Sequence, residues 1–195
     1  LDVMRQGNDL APLHNPANII GGRACQELMP DTLMGGVFDT AFNQPMEPKA
    51  FLYGLPYRFY EKHKIRRYGF HGISHKYVSR RAAEFMGQRP DRVKTIVCHL
   101  GNGASICAVK YGRVIDNSMG FTPLEGLVMG TRCGDVDAGA LEYLSKKENL
   151  DFPQIMNILN QESGVLGISK NLSSDFRELK DAEIKYNDTA ALARE

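Results

Sequence analysis

A glycine-bracketed asparagine, Gly101-Asn102-Gly103, is the first place where this sequence suggests chemistry. It joins two apolar, β-branched runs, 93–100 and 104–109, which favour strand, turn and strand. Asn-Gly is also a strong hairpin signal, so a purely structural turn is an open alternative. Glycines let a phosphate approach the backbone N–H groups closely, and the Asn102 amide adds a donor. The turn is therefore a candidate phosphate site as well as a hairpin.

Three further side chains follow strand ends or lie in glycine-rich stretches. Asp39 follows the apolar run 33–38, where a strand is predicted to end. Ligands bind outside the carboxyl ends of strands in open α/β sheets, so Asp39 is a candidate ligand contact. A turn-forming Asp after a strand is the alternative. His71 lies in a glycine-flanked loop, where it suits anion contact or proton handling. Arg132 lies in the glycine-rich stretch 130–134, and its planar donors suit a phosphate or carboxylate, with a solvated surface arginine as the alternative.

His71 and His75 stand four residues apart, the spacing of two metal ligands on one helix face. Gly72 lies between them and no Glu is adjacent, so ordinary hydrogen bonding is the favoured interpretation. A metal site is the alternative.

Together Asp39, His71, Asn102 and Arg132 suit phosphoryl transfer, in which the protein mainly positions groups and neutralises charge on the phosphoryl oxygens. Other nucleotide and hydrolase signatures are missing from the sequence. It contains no GxxxxGK[ST] P-loop, no GxGxxG after a strand and no GxSxG.

Composition limits the classes of partner. The 195 residues carry 24 Lys and Arg against 23 Asp and Glu, a net charge of +1, so no global field favours nucleic acid or a membrane surface. No apolar run approaches the roughly 20 residues that span a bilayer. No signal peptide is recognisable. The cysteines form no CxxC pair, which indicates a reducing cytoplasm.

Local signals before the site predict a helix, a strand and an irregular connection. Asn15-Pro16 marks a helix start, and Pro30 ends the helix. Its apolar stripe comprises Ala17, Ile20, Ala24 and Leu28. Residues 33–38 predict a short buried strand, and residues 43–60 an irregular connection between two units.

Around the glycine turn we predict an antiparallel meander, with Tyr111-Gly112 as a further turn. A helix is predicted after His71, ending near Gly87. Its apolar stripe comprises Val78, Ala82, Phe85 and Met86. After the glycine-rich stretch that carries Arg132, the chain from Asp137 onward is predicted to be helical. Its N-caps are Asp137, Asp151 and Asp175, the last in a capping box with Glu178.

Several motifs, in order along the chain, resemble the acetate kinase family. They are Leu10-Ala11-Pro12-Leu13-His14-Asn15-Pro16, Phe38-Asp39-Thr40-Ala41-Phe42, Tyr68-Gly69-Phe70-His71-Gly72, His99-Leu100-Gly101-Asn102-Gly103-Ala104-Ser105, Gly130-Thr131-Arg132 and Ser173-Ser174-Asp175-Phe176-Arg177. The resemblance implies an α/β protein with a ribonuclease-H-like, actin-type ATPase fold: a mixed sheet with an antiparallel meander, flanked by helices. It further implies that residues 1–42 end a first actin-like domain and that residues 43–195 form most of a second, nucleotide-binding one.

The resemblance also implies roles for individual residues. Asp39 would be the catalytic acid, His71 would donate to the phosphoryl oxygens, and Arg132 would stabilise the pentacoordinate transition state. The ATP phosphates would be held by His99, Gly101, Asn102 and Gly103. The adenosine would contact Asp175, Phe176 and Arg177. The pocket for the acetate methyl group would be formed by Leu13, Phe70 and Pro123.

The implied reaction is the reversible, Mg²⁺-dependent transfer of a phosphoryl group from ATP to acetate, giving acetyl phosphate and ADP. The resemblance implies a homodimer, and the charge balance and cysteine usage predict a cytoplasmic protein that binds neither nucleic acid nor a membrane. Asn43 stands where the family usually has His. The family's amino-terminal phosphate loop and magnesium-ordering groups lie outside this sequence, so we expect no metal ligand within it and no activity from this segment alone. Propionate or butyrate kinase, and a non-catalytic nucleotide-binding module, are the alternatives.

Overall fold

The glycine turn joins the first two strands of a three-stranded antiparallel sheet in the order β1-β2-β3. The strands are β1 (Lys94–Leu100), β2 (Ala104–Lys110) and β3 (Arg113–Asn117). Leu100 pairs with Ala104 across the glycine turn, and Lys110 pairs with Arg113 across the second turn. The predicted meander and both of its turns are confirmed.

The computed structural model describes residues 1–5, 8, 15–185 and 187–195. They divide into two compact units, Leu1–Phe38 and Asp39–Glu195. The first unit contains α1 (Asp2–Arg5) and α2 (Asn15–Leu28). The helices of the second are α3 (Pro48–Phe51), α4 (Arg58–His63), α5 (Gly72–Phe85), α6 (Ala138–Glu148), α7 (Phe152–Asn157), α8 (Gly164–Ile168), α9 (Phe176–Ile184) and α10 (Asp188–Arg194). Short 3-10 helices span Ala41–Asn43 and Pro90–Arg92, and a π-helical turn spans Ile158–Glu162. Within these described ranges no helix is long and apolar enough to cross a membrane.

Buried apolar side chains of the second unit form separate clusters. One packs the sheet against the segment before α4 and contains Met46, Phe51, Cys107, Val109 and Val114. Another lies beside the glycine turn and contains Ala104, Met119 and Met129. A third joins the last helices and contains Val165, Leu179, Ala190 and Ala193. The second cluster ties the glycine turn to the loop that follows β3.

The first unit confirms one prediction and overturns two. Helix α2 has the predicted bounds, but the predicted apolar stripe is exposed and Ile19 is the buried residue. Residues 33–38 are not a strand: they have no regular secondary structure and are exposed, with Leu33 at 99% exposure. A strand needs a neighbour for its backbone groups, and the three strands in the described ranges pair only with one another.

Helix α5 also buries a different face from the one predicted. Its buried residues are Gly72, His75, Ser79 and Ala83. The apolar side chains of the predicted stripe point elsewhere, and Phe85 is 94% exposed. Of these residues His75 bonds to Ser105 of β2 at 2.8 Å, and the Gly72 N–H bonds to the Asp39 carbonyl.

The predicted N-caps of the later helices are present, and one differs in detail. Asp137 caps α6, and Asp151 forms a capping box with Gln154 on α7. Asp175 caps α9 through the Arg177 N–H. The predicted capping box between Asp175 and Glu178 is wrong, because the Ser173 hydroxyl stands between them. It donates to the Glu178 carboxylate at 2.6 Å and accepts from the Asp175 N–H at 3.0 Å.

Candidate active site

Asp39 and His71 are joined through the backbone at the start of α5. The His71 N–H donates to Asp39 Oδ2 at 2.6 Å, and the Gly72 N–H donates to the Asp39 carbonyl at 2.9 Å. A Cβ on residue 72 would overlap that carbonyl oxygen, so only glycine permits this approach. The carboxylate is thereby fixed next to the histidine.

His71 occupies the left-handed region, with φ at +56°, just before α5 begins. This conformation is sparsely populated for non-glycine residues and is held here by the two hydrogen bonds to Asp39. The half-buried ring stacks on His99 with centroids 4.0 Å apart. Burial lowers the pKa of His71, the charges of His99 and Arg132 lower it further, and Asp39 opposes them. His71 is therefore neutral at pH 7.

His71 and His75, four residues apart, both contact the same hydroxyl group. Ser105 Oγ is 2.8 Å from His71 Nδ1 and 2.8 Å from His75 Nε2. His75 and Ser105 are fully buried, and His99 Nδ1 contacts Ser74 Oγ at 2.9 Å. These contacts realise the hydrogen-bonding interpretation of the histidine pair.

Arg132 lies against the glycine turn. A Cβ on Gly103 would stand 3.1 Å from its Nη2 atom. Its Nη1 atom donates to the Pro123 carbonyl at 2.7 Å, which fixes the half-buried guanidinium. The remaining N–H donors of this group can serve an anion.

The glycine turn is held in place by the loop that carries Gly130. The Gly130 N–H donates to the Asn102 carbonyl at 3.0 Å, and a Cβ on Gly130 would overlap the Asn102 side chain. One prediction needs correction: the Gly101 N–H is not bare, because it donates to the Gly103 carbonyl at 3.1 Å. Closing the three-residue turn uses that donor, which removes it from the donors that the sequence predicted for a phosphate.

The residues predicted to hold adenosine begin α9. Arg177 pairs with Asp175 at 2.6 Å, while Phe176 is half-exposed. The preceding Ser174 carbonyl would stand 3.3 Å from a Cβ on Gly130. Gly130 therefore links this segment to the glycine turn, while the Asp175–Arg177 pair itself points to solvent.

The predicted methyl pocket is represented by two of its three residues. Phe70 is half-buried and packs against the cluster of Ala104, Met119 and Met129. Pro123 is half-buried beside Arg132. Leu13 lies outside the described residues.

Sequence reasoning missed Asn117, which ends β3. Its Nδ2 donates to the Phe70 carbonyl at 3.1 Å and to Asn43 Oδ1 at 3.2 Å, and its Oδ1 accepts from the Met119 N–H. Asn43 is fully buried, and its Nδ2 has no partner in the described part of the chain. The two asparagines brace the backbone next to His71. No spacing signal marks them in the sequence.

Sequence reasoning also missed Arg67, which holds the loop that carries Pro123. Its Nη1 donates to three successive carbonyls, of residues 117, 118 and 119, and its Nη2 pairs with Glu125 at 2.6 Å. The Tyr53 hydroxyl also bonds to Glu125. Arg67 thus ties β3 and the following loop together.

Comparison with known proteins finds relatives along almost the whole chain. The family model described as the Acetokinase family matches residues 1–195. The chain is 61% identical to the acetate kinase of Helicobacter hepaticus, over 98% of this chain and 47% of that protein. It is also 61% identical to the acetate kinase of Agathobacter rectalis, over 96% of this chain and 47% of that protein. The chain spans about half the length of the curated relatives it matches.

Solved structures of kinases also resemble this chain closely. A crystal structure of Porphyromonas gingivalis acetate kinase superposes with a TM-score of 0.93 at 50% identity, over 97% of this chain and 47% of that one. A propionate kinase from Francisella tularensis gives 0.92 at 47% identity, over 97% and 48%. The expected actin-like ATPase fold is confirmed. The assignment of residues 1–42 and 43–195 to two actin-like domains stays a prediction.

Proposed function

Because the chain belongs to the acetokinase family, we propose that the protein transfers the γ-phosphoryl group of ATP to acetate, reversibly, giving acetyl phosphate and ADP. The observation that supports this most is the set of direct contacts among the site residues. Asp39 holds the His71 backbone, His71 stacks on His99, and Arg132 lies against Gly103. Phosphoryl transfer needs such a set of fixed donors around spreading negative charge.

Arg132 would stabilise the transition state, since its guanidinium is fixed by the Pro123 carbonyl and retains unused donors. His71 would donate to the phosphoryl oxygens as a neutral ring. Asp39 would be the catalytic acid beside the transferred group. These three residues form the proposed catalytic set.

The glycine turn would hold the nucleotide, with Asn102 at its tip and His99 and Gly103 beside it. The start of α9, residues 175–177, would contact the adenosine. Phe70 and Pro123 would enclose the acetate methyl group, and the third predicted residue, Leu13, lies outside the described residues.

Mg²⁺ would accompany the nucleotide and neutralise charge on its phosphates. This ion takes oxygen ligands, chiefly from phosphate and water, with one or two carboxylates. Among the described residues no group of three or more His, Cys, Asp or Glu side chains is arranged to hold a metal ion, and we assign no residue of this segment to the coordination shell of the ion.

We further propose that the protein acts in the cytoplasm as a homodimer. Light scattering on the complete protein, from its initiator methionine to its stop codon, checks the dimer. A monomer at micromolar concentration would overturn it.

A direct assay tests the function. The complete protein is incubated with ATP, acetate and Mg²⁺, and acetyl phosphate is measured. We expect product only when both substrates are present. Asp39→Asn, which keeps an acceptor for the His71 N–H, should lower kcat about 100-fold or more. A folded protein that binds ATP but makes no acetyl phosphate would instead be a nucleotide-binding module.

Propionate is the second candidate substrate, favoured by the similarity to the propionate kinase structure. One methylene in an apolar pocket changes discrimination by only about 1–3 kcal/mol. We expect kcat/KM for acetate to exceed that for propionate, and the reverse order would contradict acetate as the main substrate.

A further inference from the structure

The buried Ser105 hydroxyl lies between two imidazole rings, and its single proton fixes the direction of the hydrogen bonds that join them. Its oxygen is 2.8 Å from His71 Nδ1 and 2.8 Å from His75 Nε2. A hydroxyl has one proton, so between two neutral rings it donates to one and accepts from the other. That direction decides which nitrogen of His71 carries the ring proton.

The far side of His75 indicates the direction. This side chain is fully buried, and its Nδ1 has no hydrogen-bond partner in the described ranges. Buried N–H groups without an acceptor are rarer than buried acceptors without a donor. The proton of neutral His75 therefore belongs on Nε2, where it can be donated to Ser105 Oγ.

We propose that His75 and Ser105 are positioning residues that hold His71 in the tautomer with its proton on Nε2. His75 Nε2–H donates to Ser105, the Ser105 hydroxyl donates to His71 Nδ1, and His71 Nε2–H is left to face a ligand. The inference rests on the proposed function, because this tautomer makes a neutral His71 a donor to phosphoryl oxygens. The opposite tautomer would present a lone pair to them.

Both rings are neutral under working conditions, so the tautomer matters. The pKa of His75 is lowered to about 4, mainly by burial and also by the neighbouring His71 and His99, while Asp39 opposes the shift. His71 faces His99, Arg132 and Asp39, and its pKa is also lowered. A neutral ring has only one proton to place.

Nuclear magnetic resonance tests the tautomer directly. The complete protein is labelled with ¹⁵N-histidine, long-range ¹H–¹⁵N spectra are recorded at pH 7, and His71→Gln and His75→Gln assign the signals. We expect both rings to show protonated Nε2 and unprotonated Nδ1. A His71 ring protonated on Nδ1 overturns the proposal. The spectrum needs no turnover, so it stands apart from any failure of the proposed function.

Matched serine variants test the consequence. Ser105→Ala should remove the preference of His71 for Nε2–H and lower kcat about tenfold or more, while KM for ATP stays within about twofold. Ser105→Thr keeps the hydroxyl, so it should restore both the His71 tautomer and kcat. The control Ser74→Ala removes the hydroxyl that contacts His99 and should leave the His71 tautomer unchanged. A Ser105→Ala protein with the wild-type tautomer and kcat would also overturn the proposal. If that variant does not fold, the wild-type spectrum alone decides.

Discussion

At the residue scale, Gly72 determines how closely the acid and the histidine approach each other. Its N–H donates to the Asp39 carbonyl, and a Cβ would overlap that oxygen. We expect Gly72→Ala to destabilise the protein by about 1–3 kcal/mol, because the backbone must move, and to lower kcat. Urea unfolding and the acetyl phosphate assay measure the two effects.

Gly54→Ala is the matched control, since a Cβ on Gly54 meets nothing within 4 Å. This surface change should stay within about 0.5 kcal/mol of the parent. Equal stability of both variants would show that the Gly72 contact is not tight.

Some site residues carry local signals in the sequence, and others are brought together only by the fold. The glycines around His71, Asn102 and Arg132 are local signals that predict these residues. Asp39 was predicted from the end of a strand at 33–38 that the structure does not contain. Ser105 and its partner His75 are 30 residues apart. Their pairing arises only when α5 packs on the sheet, and a serine within a strand carries no signal of it.

At the element scale, the half-buried pair of Arg67 and Glu125 holds the loop after β3. Their side chains are 20% and 31% exposed, and the loop carries the Pro123 carbonyl that fixes Arg132. We expect Glu125→Gln to destabilise by about 1–3 kcal/mol, because the Arg67 charge loses its counterion. Thermal or urea unfolding of the complete protein checks this.

Glu47→Gln provides the comparison, because the Glu47–Lys49 pair is exposed at 68% and 84%. Exposed pairs contribute little, so this change should cost clearly less stability than Glu125→Gln. A Glu125 variant no less stable than the Glu47 variant would exclude a bracing role for Arg67.

Elements differ in how far the sequence predicted them. The meander and the N-caps follow from turn chemistry and capping within a few residues. The strand at 33–38 failed because pairing depends on a neighbouring strand. The buried face of α5 was misassigned because its buried residues are small or polar rather than a periodic set of large apolar side chains, and one of them, His75, bonds to Ser105.

At the scale of the whole molecule, buried His75 makes stability depend on pH. Its folded pKa is about 4 against an ordinary 6.5. Between these values the unfolded chain binds the extra proton, so stability is full above pH 6.5 and falls as pH drops toward 4. We expect a loss of about 2 kcal/mol from pH 7 to pH 5.

His75→Gln removes this titration. Urea unfolding at both pH values should show a smaller loss for the variant than for the parent, by about the same 2 kcal/mol. Equal losses in the two proteins would mean that His75 is not held neutral by burial.

The most direct test of the central claim is kcat for Arg132→Ala in the complete protein. A charge-stabilising donor typically contributes about 10²- to 10³-fold, so we predict a loss of that size in acetyl phosphate formation, with KM values changed only a few-fold. The control is Arg89→Ala, which removes an exposed arginine paired with Asp91 and should stay within about twofold. A folded Arg132→Ala protein that keeps kcat within a few-fold of the parent would contradict the account.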